Sequence, residues 1–209
     1  VPAQYAQMVA DQCKDATIIT VPQGEASKSF KILETVLRQM LDFGMGRGDL
    51  VVAVGGGVVG DRSGFAASIY MRGIDFINCP TTTLSMIDSS IGGKTAVDLG
   101  DTKNIVGAFW QPKLVIVDPD TLSTLPRRHF INGLAEAVKA GLLADPELFS
   151  IFEKEDVDDR IGDIICRSLR FKKSIVEQDE TEQGMRKALN FGHTIGHGIE
   201  AVKGLSLIH

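Results

Sequence analysis

The sequence predicts an α/β fold, with a mostly parallel α/β domain over residues 1–126 followed by an all-helical domain over residues 127–209. Three observations predict it. A continuous apolar run, Leu50 to Val54, ends in Gly55-Gly56-Gly57 and leads straight into a helix-forming stretch, as a central strand covered on both faces would. Strand-like and helix-like segments alternate through the first half, the pattern of layered α/β units with right-handed crossovers. After Leu125-Pro126 the strand signals vanish and only helical periodicity remains.

Each element has its own warrant. Ala16 to Val21 is short, apolar and β-branched, which predicts a strand. Lys28 to Phe43 places Phe30, Leu33, Leu37 and Met40/Leu41 at helical spacing, and Gly44 stops that helix. Leu50 to Val54 is a strand, and Val58 to Tyr70 is the helix that follows it. Phe76 to Cys79 and Leu114 to Val117 are further strands, the latter closing at Asp118-Pro119. Pro126 suits the first turn of a helix from Arg127 to Leu143. Pro146 to Glu153, Ile161 to Val176 and Ile195 to Val202 complete the helical part. The acidic run Glu153 to Asp159 reads as a solvated surface between helices.

Composition narrows the function. With 209 residues, 44% hydrophobic, 23% charged and a net charge of −5, the chain can bury a core and is not driven to disorder. No stretch approaches the ~18 to 20 apolar residues that cross a bilayer, and no signal peptide opens the chain, so neither a membrane nor a secreted protein is expected. A pI near 5.4 argues against nucleic acid as a partner. Three cysteines, Cys13, Cys79 and Cys166, fit no paired metal spacing and read as thiols of a reducing cytoplasm.

Four segments could carry chemistry. Gly55-Gly-Gly-Val-Val-Gly60-Asp61 lies between a strand and a helix, where glycines admit a phosphate to the helix N-terminus. Gly55, Gly57 and Gly60 match G-x-G-x-x-G. Asp75 comes early for the acid of an orthodox Rossmann fold and precedes its strand, and a tight structural turn is the other reading. Asn190-Phe-Gly-His193-Thr-Ile-Gly-His197 sets two imidazoles four apart. They can share a metal, divide ligand and acid–base roles, or be ordinary helix histidines. Glu136 and Lys139 share a helix face, either as an exposed ion pair or as a packed carboxylate that needs a cation such as a metal. Asp88-Ser-Ser-Ile-Gly-Gly-Lys94, with Lys103-Asn104, is a loop-rich stretch that is either a surface loop or an anion-binding concavity. It is not a Walker A motif.

Together these segments resemble the 3-dehydroquinate synthase family of sugar-phosphate cyclases. The matching stretches are Gly55 to Asp61, Tyr70-Met-Arg-Gly73, Pro80-Thr-Thr-Thr83, Asp88 to Ala96, Lys103-Asn104, Gly107-Ala-Phe-Trp-Gln-Pro112, Thr124-Leu-Pro126, Gly133 to Lys139 and Leu189 to His197, in family order over almost the whole chain. The resemblance implies an NAD-binding α/β domain and a helical metal domain with the active site between them. It places a divalent metal, Zn2+ or Co2+, on Glu136, His193 and His209, leaving coordination positions open for substrate hydroxyls. It places NAD on Glu25, Lys28, Gly56, Gly57, Val58, Asp61, Thr81, Thr82, Lys94, Lys103 and Thr124. It assigns catalytic and substrate-pocket roles to Asp88, Lys94, Lys103, Asn104, Lys139 and His197, and substrate contacts to Arg72, Lys172, Arg186 and Asn190, with Arg72 reaching a phosphate across a dimer interface. The five Lys and Arg residues Lys94, Lys103, Lys139, Lys172 and Arg186 suit an anionic sugar phosphate, 3-deoxy-D-arabino-heptulosonate 7-phosphate. The implied reaction is phosphate-eliminating cyclisation, with NAD reduced and reoxidised within one turnover, in the shikimate pathway of aromatic amino acid biosynthesis.

Two departures and two competitors complete the expectation. Arg62-Ser63 replaces the more usual apolar or small pair and clouds the packing of the glycine-loop helix. The resemblance also implies a leading strand and a helical remainder outside these 209 residues, so the isolated chain is expected to be weakly active or inactive, and the completed one a homodimer. The competing readings are a related cyclase or metal-dependent polyol dehydrogenase, and a non-catalytic NAD- or metal-binding fragment.

Overall fold

The computed structural model describes residues 3–193. Three parallel strands, β1 (Leu50–Gly55), β2 (Asp75–Pro80) and β5 (Leu114–Val115), form one sheet in the order β1-β2-β5, with Val52 opposite Ile77 and Ile77 opposite Leu114. The helices of this half are α1 (Ala3–Ala10), α2 (Phe30–Asp42) and α3 (Gly57–Ile69), and α3 joins β1 to β2 as their crossover. Gly44, at φ 80°, ends the turn after α2. Leu33 and Met40 of α2, Phe65, Ala66 and Ala67 of α3, and Phe76 of β2 form one core with Ile74 and Val97.

The second half is helical: α4 (Arg127–Ala144), α5 (Pro146–Lys154) and α6 (Ile161–Val176). Pro126 immediately precedes α4, and the Asp145 side chain caps α5 by accepting from Leu148 N at 3.0 Å. Phe130, Leu134, Ala137, Leu148, Ile151, Ile164 and Ile165 make a second core, which takes in Met86 and Ile87 from the first half. The two halves therefore meet at the segment that follows β2. Glu155 and Asp158 pair with Arg160 and Arg127 at the surface, as a solvated acidic run would.

Two expectations are corrected. Ala16 to Val21 is not a strand: it lies across a cavity from β1, but no described strand pairs with it and most of it is exposed, so its β-branched residues join no ladder. The stretch from Asp88 to Asn104 is not loop-rich. A single π turn, Ser85–Ser89, is followed by an antiparallel hairpin of β3 (Lys94–Leu99) and β4 (Thr102–Phe109). The helix expected over Ile195 to Val202 lies outside the described residues, as do His197 and His209.

Candidate active site

The tip of β1 and the start of α3 use glycine for closeness rather than for unusual dihedrals. Gly56 is extended, at φ −81° and ψ −172°, and no side chain caps α3. A Cβ on Gly56 would lie 2.9 Å from Thr82 Cγ2, on Gly57 3.0 Å from Ser89 Oγ, on Gly60 3.0 Å from Asn78 Nδ2, and on Gly64 2.5 Å from Thr95 Cγ2. The helix thus lies directly on β2 and the segment after it, with Val58 half-buried at its start. The same approach leaves the first-turn N–H groups without a side-chain acceptor, as an anion site requires. Beside it, Thr81 N donates to Gly55 O at 2.8 Å, while the buried Thr81 Oγ1 has no hydrogen-bond partner among the described residues. Thr82 is locked to Ser85 at 2.8 Å, and Thr124 Oγ1 lies 3.2 Å from Tyr5 Oη on α1. The uncapped helix start and the orphaned hydroxyl fit a bound dinucleotide.

Next to α3, the turn Glu25–Ser27 delivers Lys28, which is completely buried. Its ammonium donates to Asp61 Oδ2 at 2.8 Å and to Asn104 Oδ1, and lies 3.9 Å from Glu25 Oε1. Arg62, where the resemblance expects an apolar or small residue, is also buried. It spans from α3 to donate to Ser27 O at 3.0 Å, so the guanidinium packs against the Glu25–Lys28 turn instead of disrupting α3.

The π turn, α4 and α6 converge on a second cluster. Lys172 Nζ donates to Asp88 O at 2.5 Å and pairs with its Oδ1 at 2.8 Å. Burial alone would raise the Asp88 carboxyl, but Lys172, then Lys139 and Lys94, outweigh it and hold the group below the usual carboxylate range. Lys139 pairs with Glu136 one turn earlier on α4 and donates to Leu189 O at 2.6 Å. The cation facing the half-buried Glu136 is therefore Lys139. His193 ends the described chain and is also partly buried. Among the described residues, no three His, Cys, Asp or Glu side chains form a group able to hold a metal. Glu136 and His193 have the donor chemistry for zinc, and the third implied ligand, His209, lies outside the described residues.

The loop after α6 closes over this cluster. Asp179 accepts from the backbone of Gln183, Gly184 and Arg186. Arg186, almost fully buried, donates to Gly92 O at 2.8 Å and to Glu180 O. Gly92, at φ 105°, has no room for a Cβ, which would lie 2.3 Å from Arg186 Nη2. Glu182 pairs with Lys94 and accepts from Asn190 Nδ2 at 2.7 Å. Its acidity reflects burial, which raises its pKa, overcome by Lys94, Asn190 and Arg186, which lower it. No sequence pattern marks Glu182, since an acid in Asp179 to Glu182 looks like solvated loop; only its link between two expected substrate residues singles it out. Arg72 sits apart, exposed at φ 71° in the turn Tyr70–Arg72, and Lys103 is exposed on β4.

The profile described as 3-dehydroquinate synthase N-terminal matches residues 18–132, and the one described as 3-dehydroquinate synthase C-terminal matches residues 133–209. The 3-dehydroquinate synthase of Clostridium perfringens (strain 13 / Type A) is 48% identical over 192 residues, covering 90% of this chain and 55% of the relative. That of Pelobacter propionicus is 44% identical over 216 residues, covering 98% and 60%. The chain thus spans little more than half the length of these relatives. Among solved structures, 2-deoxy-scyllo-inosose synthase complexed with carbaglucose-6-phosphate, NAD+ and Co2+ superposes with a TM-score of 0.89 at 29% identity, over 100% of this chain and 60% of its own. The 2-epi-5-epi-valiolone synthase of Streptomyces hygroscopicus subsp. jinggangensis, with NAD+ and Zn2+ bound, gives 0.86 at 29% identity, over 99% and 60%.

Proposed function

Because the chain belongs to the 3-dehydroquinate synthase family, we propose that it converts 3-deoxy-D-arabino-heptulosonate 7-phosphate to 3-dehydroquinate and phosphate in the cytoplasm, with NAD and a divalent metal. The observation that carries this reading is the convergence of three lysines from three elements on one carboxylate. Lys172 of α6, Lys139 of α4 and Lys94 of β3 all act on Asp88. Asp88, Glu136 and Glu182 balance the three lysines, and Arg186, held by the carbonyls of Gly92 and Glu180, brings a further cation to the same cluster, which offers a site to an anionic substrate.

The cofactor side is formed by Glu25, Lys28, Asp61, Thr81 and the start of α3, and Glu136 and His193 with His209 form the metal side. When bound, NAD supplies a hydride acceptor and the metal polarises a substrate oxygen. The chain's own groups then have separable tasks. Asp88 stays ionised at neutral pH under its lysines and serves as the fixed charge that holds Lys172 in place at the pocket. Lys94, Asn104, Lys139, Lys172, Arg186 and Asn190 contact the anionic groups of the substrate and orient it. The loop Asp179–Asn190, stapled by Arg186 to Gly92, restricts water at the pocket. His197 is proposed as a proton carrier.

Incubation of this chain, extended to the length of its relatives, with the heptulosonate phosphate, NAD+ and Zn2+, followed for released phosphate and for absorbance of NADH, tests the proposal. It expects phosphate in step with dehydroquinate and no net NADH. NADH accumulating on a simple polyol, with no phosphate released, would instead identify a dehydrogenase.

A further inference from the structure

Lys28 serves both sides of the proposed site with one ammonium. It donates to Asp61 on the cofactor side and to Asn104 Oδ1 on the substrate side, and it is fully buried. An ammonium has three donors and no acceptor, so only the carbonyl end of the Asn104 amide can face it. The amide's NH2 end is therefore turned the other way, and Asn104 as a residue is exposed.

The backbone is built for this orientation. Between the pairs Val97 with Val106 and Leu99 with Thr102, β3 carries one residue, Asp98, while β4 carries three, Lys103, Asn104 and Ile105. The resulting bulge puts Asn104 at φ 54°, a left-handed conformation that asparagine tolerates better than most residues. Asn104 N donates to Asp98 Oδ1 at 2.8 Å, and Asp98 N donates to Lys28 O at 2.7 Å. Backbone and side chain of Asn104 are thus fixed by separate bonds that both lead back to Lys28. Behind the turn, Arg62 holds Ser27 O.

We propose that Lys28 is a positioning residue for the substrate: by holding the carbonyl end of Asn104, it aims the amide NH2 at an oxyanion of the ligand, a carboxylate or a phosphate. This rests on the reading that Asn104 lines the substrate pocket, and it gives a lysine assigned to the cofactor a task on the substrate side.

The test is a double-mutant cycle on substrate affinity, measured by calorimetry with Zn2+ and saturating NADH in place of NAD+, a complex that cannot accept the hydride and so does not turn the substrate over. Asn104→Ala is expected to weaken binding of the heptulosonate phosphate by about tenfold, the scale of one hydrogen bond to a charged group. Lys28→Met should weaken it by about three- to tenfold, and the double variant should bind within about twofold of Asn104→Ala alone, because the lysine acts through the amide. Lys28→Arg, also donor-only, should restore affinity. Asn104→Asp keeps the pair with Lys28 but presents an oxygen outward, so it should bind more weakly than Asn104→Ala even if Lys28→Met proves unstable. A parallel titration with orthophosphate names the oxyanion: the same losses assign it as phosphate, and losses confined to the whole substrate assign it as carboxylate. Losses that multiply in the double variant, or wild-type affinity in Asn104→Asp, would overturn the proposal. Absence of any substrate binding by the parent chain would instead remove the functional reading on which it rests.

Discussion

Gly133→Ala probes how closely α4 must approach the π-turn segment to place Glu136 and Lys139. A Cβ at Gly133 would sit 2.3 Å from Leu84 N, 2.7 Å from Thr83 Cβ and 2.8 Å from Thr83 C. Ordinary contact begins near 3.4 Å, so α4 has to retreat by about 1 Å against backbone that cannot rotate away. Overpacking of this kind costs roughly 1–3 kcal/mol, and the better helix propensity of alanine returns about 1 kcal/mol. A net loss of up to about 2 kcal/mol remains, or up to about 8 °C in Tm for a chain of this size. Function should suffer more than stability. Glu136 and Lys139 lie one and two turns further along α4, and a displacement near 1 Å at reacting groups can cost on the order of 100-fold in rate. Gly162→Ala in α6 is the control, because a Cβ there meets nothing within 4 Å; it should leave activity unchanged and hold or raise Tm. Thermal unfolding and kcat of the two variants make the comparison, and a Gly133→Ala protein as stable and active as the parent would refute the reasoning.

Other outcomes follow from the charges. Asp88 is held below the usual carboxylate range by Lys172, Lys139 and Lys94 against its burial, so its contribution to stability is complete above its unfolded pKa of about 4 and is lost as pH falls through the lower folded value. Urea unfolding at pH 7 and at pH 3 should therefore show a smaller drop for Asp88→Asn than for the parent, and equal drops would contradict the pairing. Arg167 of α6 bonds Asp145 at 3.0 Å, Glu147 at 2.8 Å and Asp163 at 3.3 Å, joining α5 to α6, so Arg167→Ala should lower Tm, and by less in high salt. Asp145→Ala should cost at least as much, since it removes that bond and the α5 cap together; a loss limited to one of the two would show at Leu148 by amide exchange.

Much of the fold was legible because single segments settle their own structure. Leu50 to Val54 is a strand as expected, but β1 lies at the edge of its sheet among the described strands, with Leu50 exposed and Val51, Val52 and Val54 half-buried, rather than in a covered centre; apolar spacing with Gly44, Pro126 and Pro146 as punctuation located α2, α4 and α5. Ala16 to Val21 misled because β-branching describes fitness for a ladder, and the ladder is a tertiary fact. The β3–β4 hairpin was hidden behind Gly92-Gly93 and two lysines whose composition resembles a loop. Of the residues expected at the site, the fold brings Asp88, Lys94, Lys139 and Asn190 into one region, with Glu182 bridging Lys94 and Asn190. Glu182 and the buried role of Arg62 were not legible, since each depends on which partner a distant element supplies: Lys94 for Glu182, and Ser27 O for Arg62.

Metal stoichiometry, measured together with the metal's position, tests the proposed centre most directly. One zinc per chain is predicted, with anomalous density between Glu136, His193 and His209, and Glu136→Ala should lose it while the chain stays folded. Zinc bound stoichiometrically at other residues, or full turnover by metal-free protein, would contradict that centre.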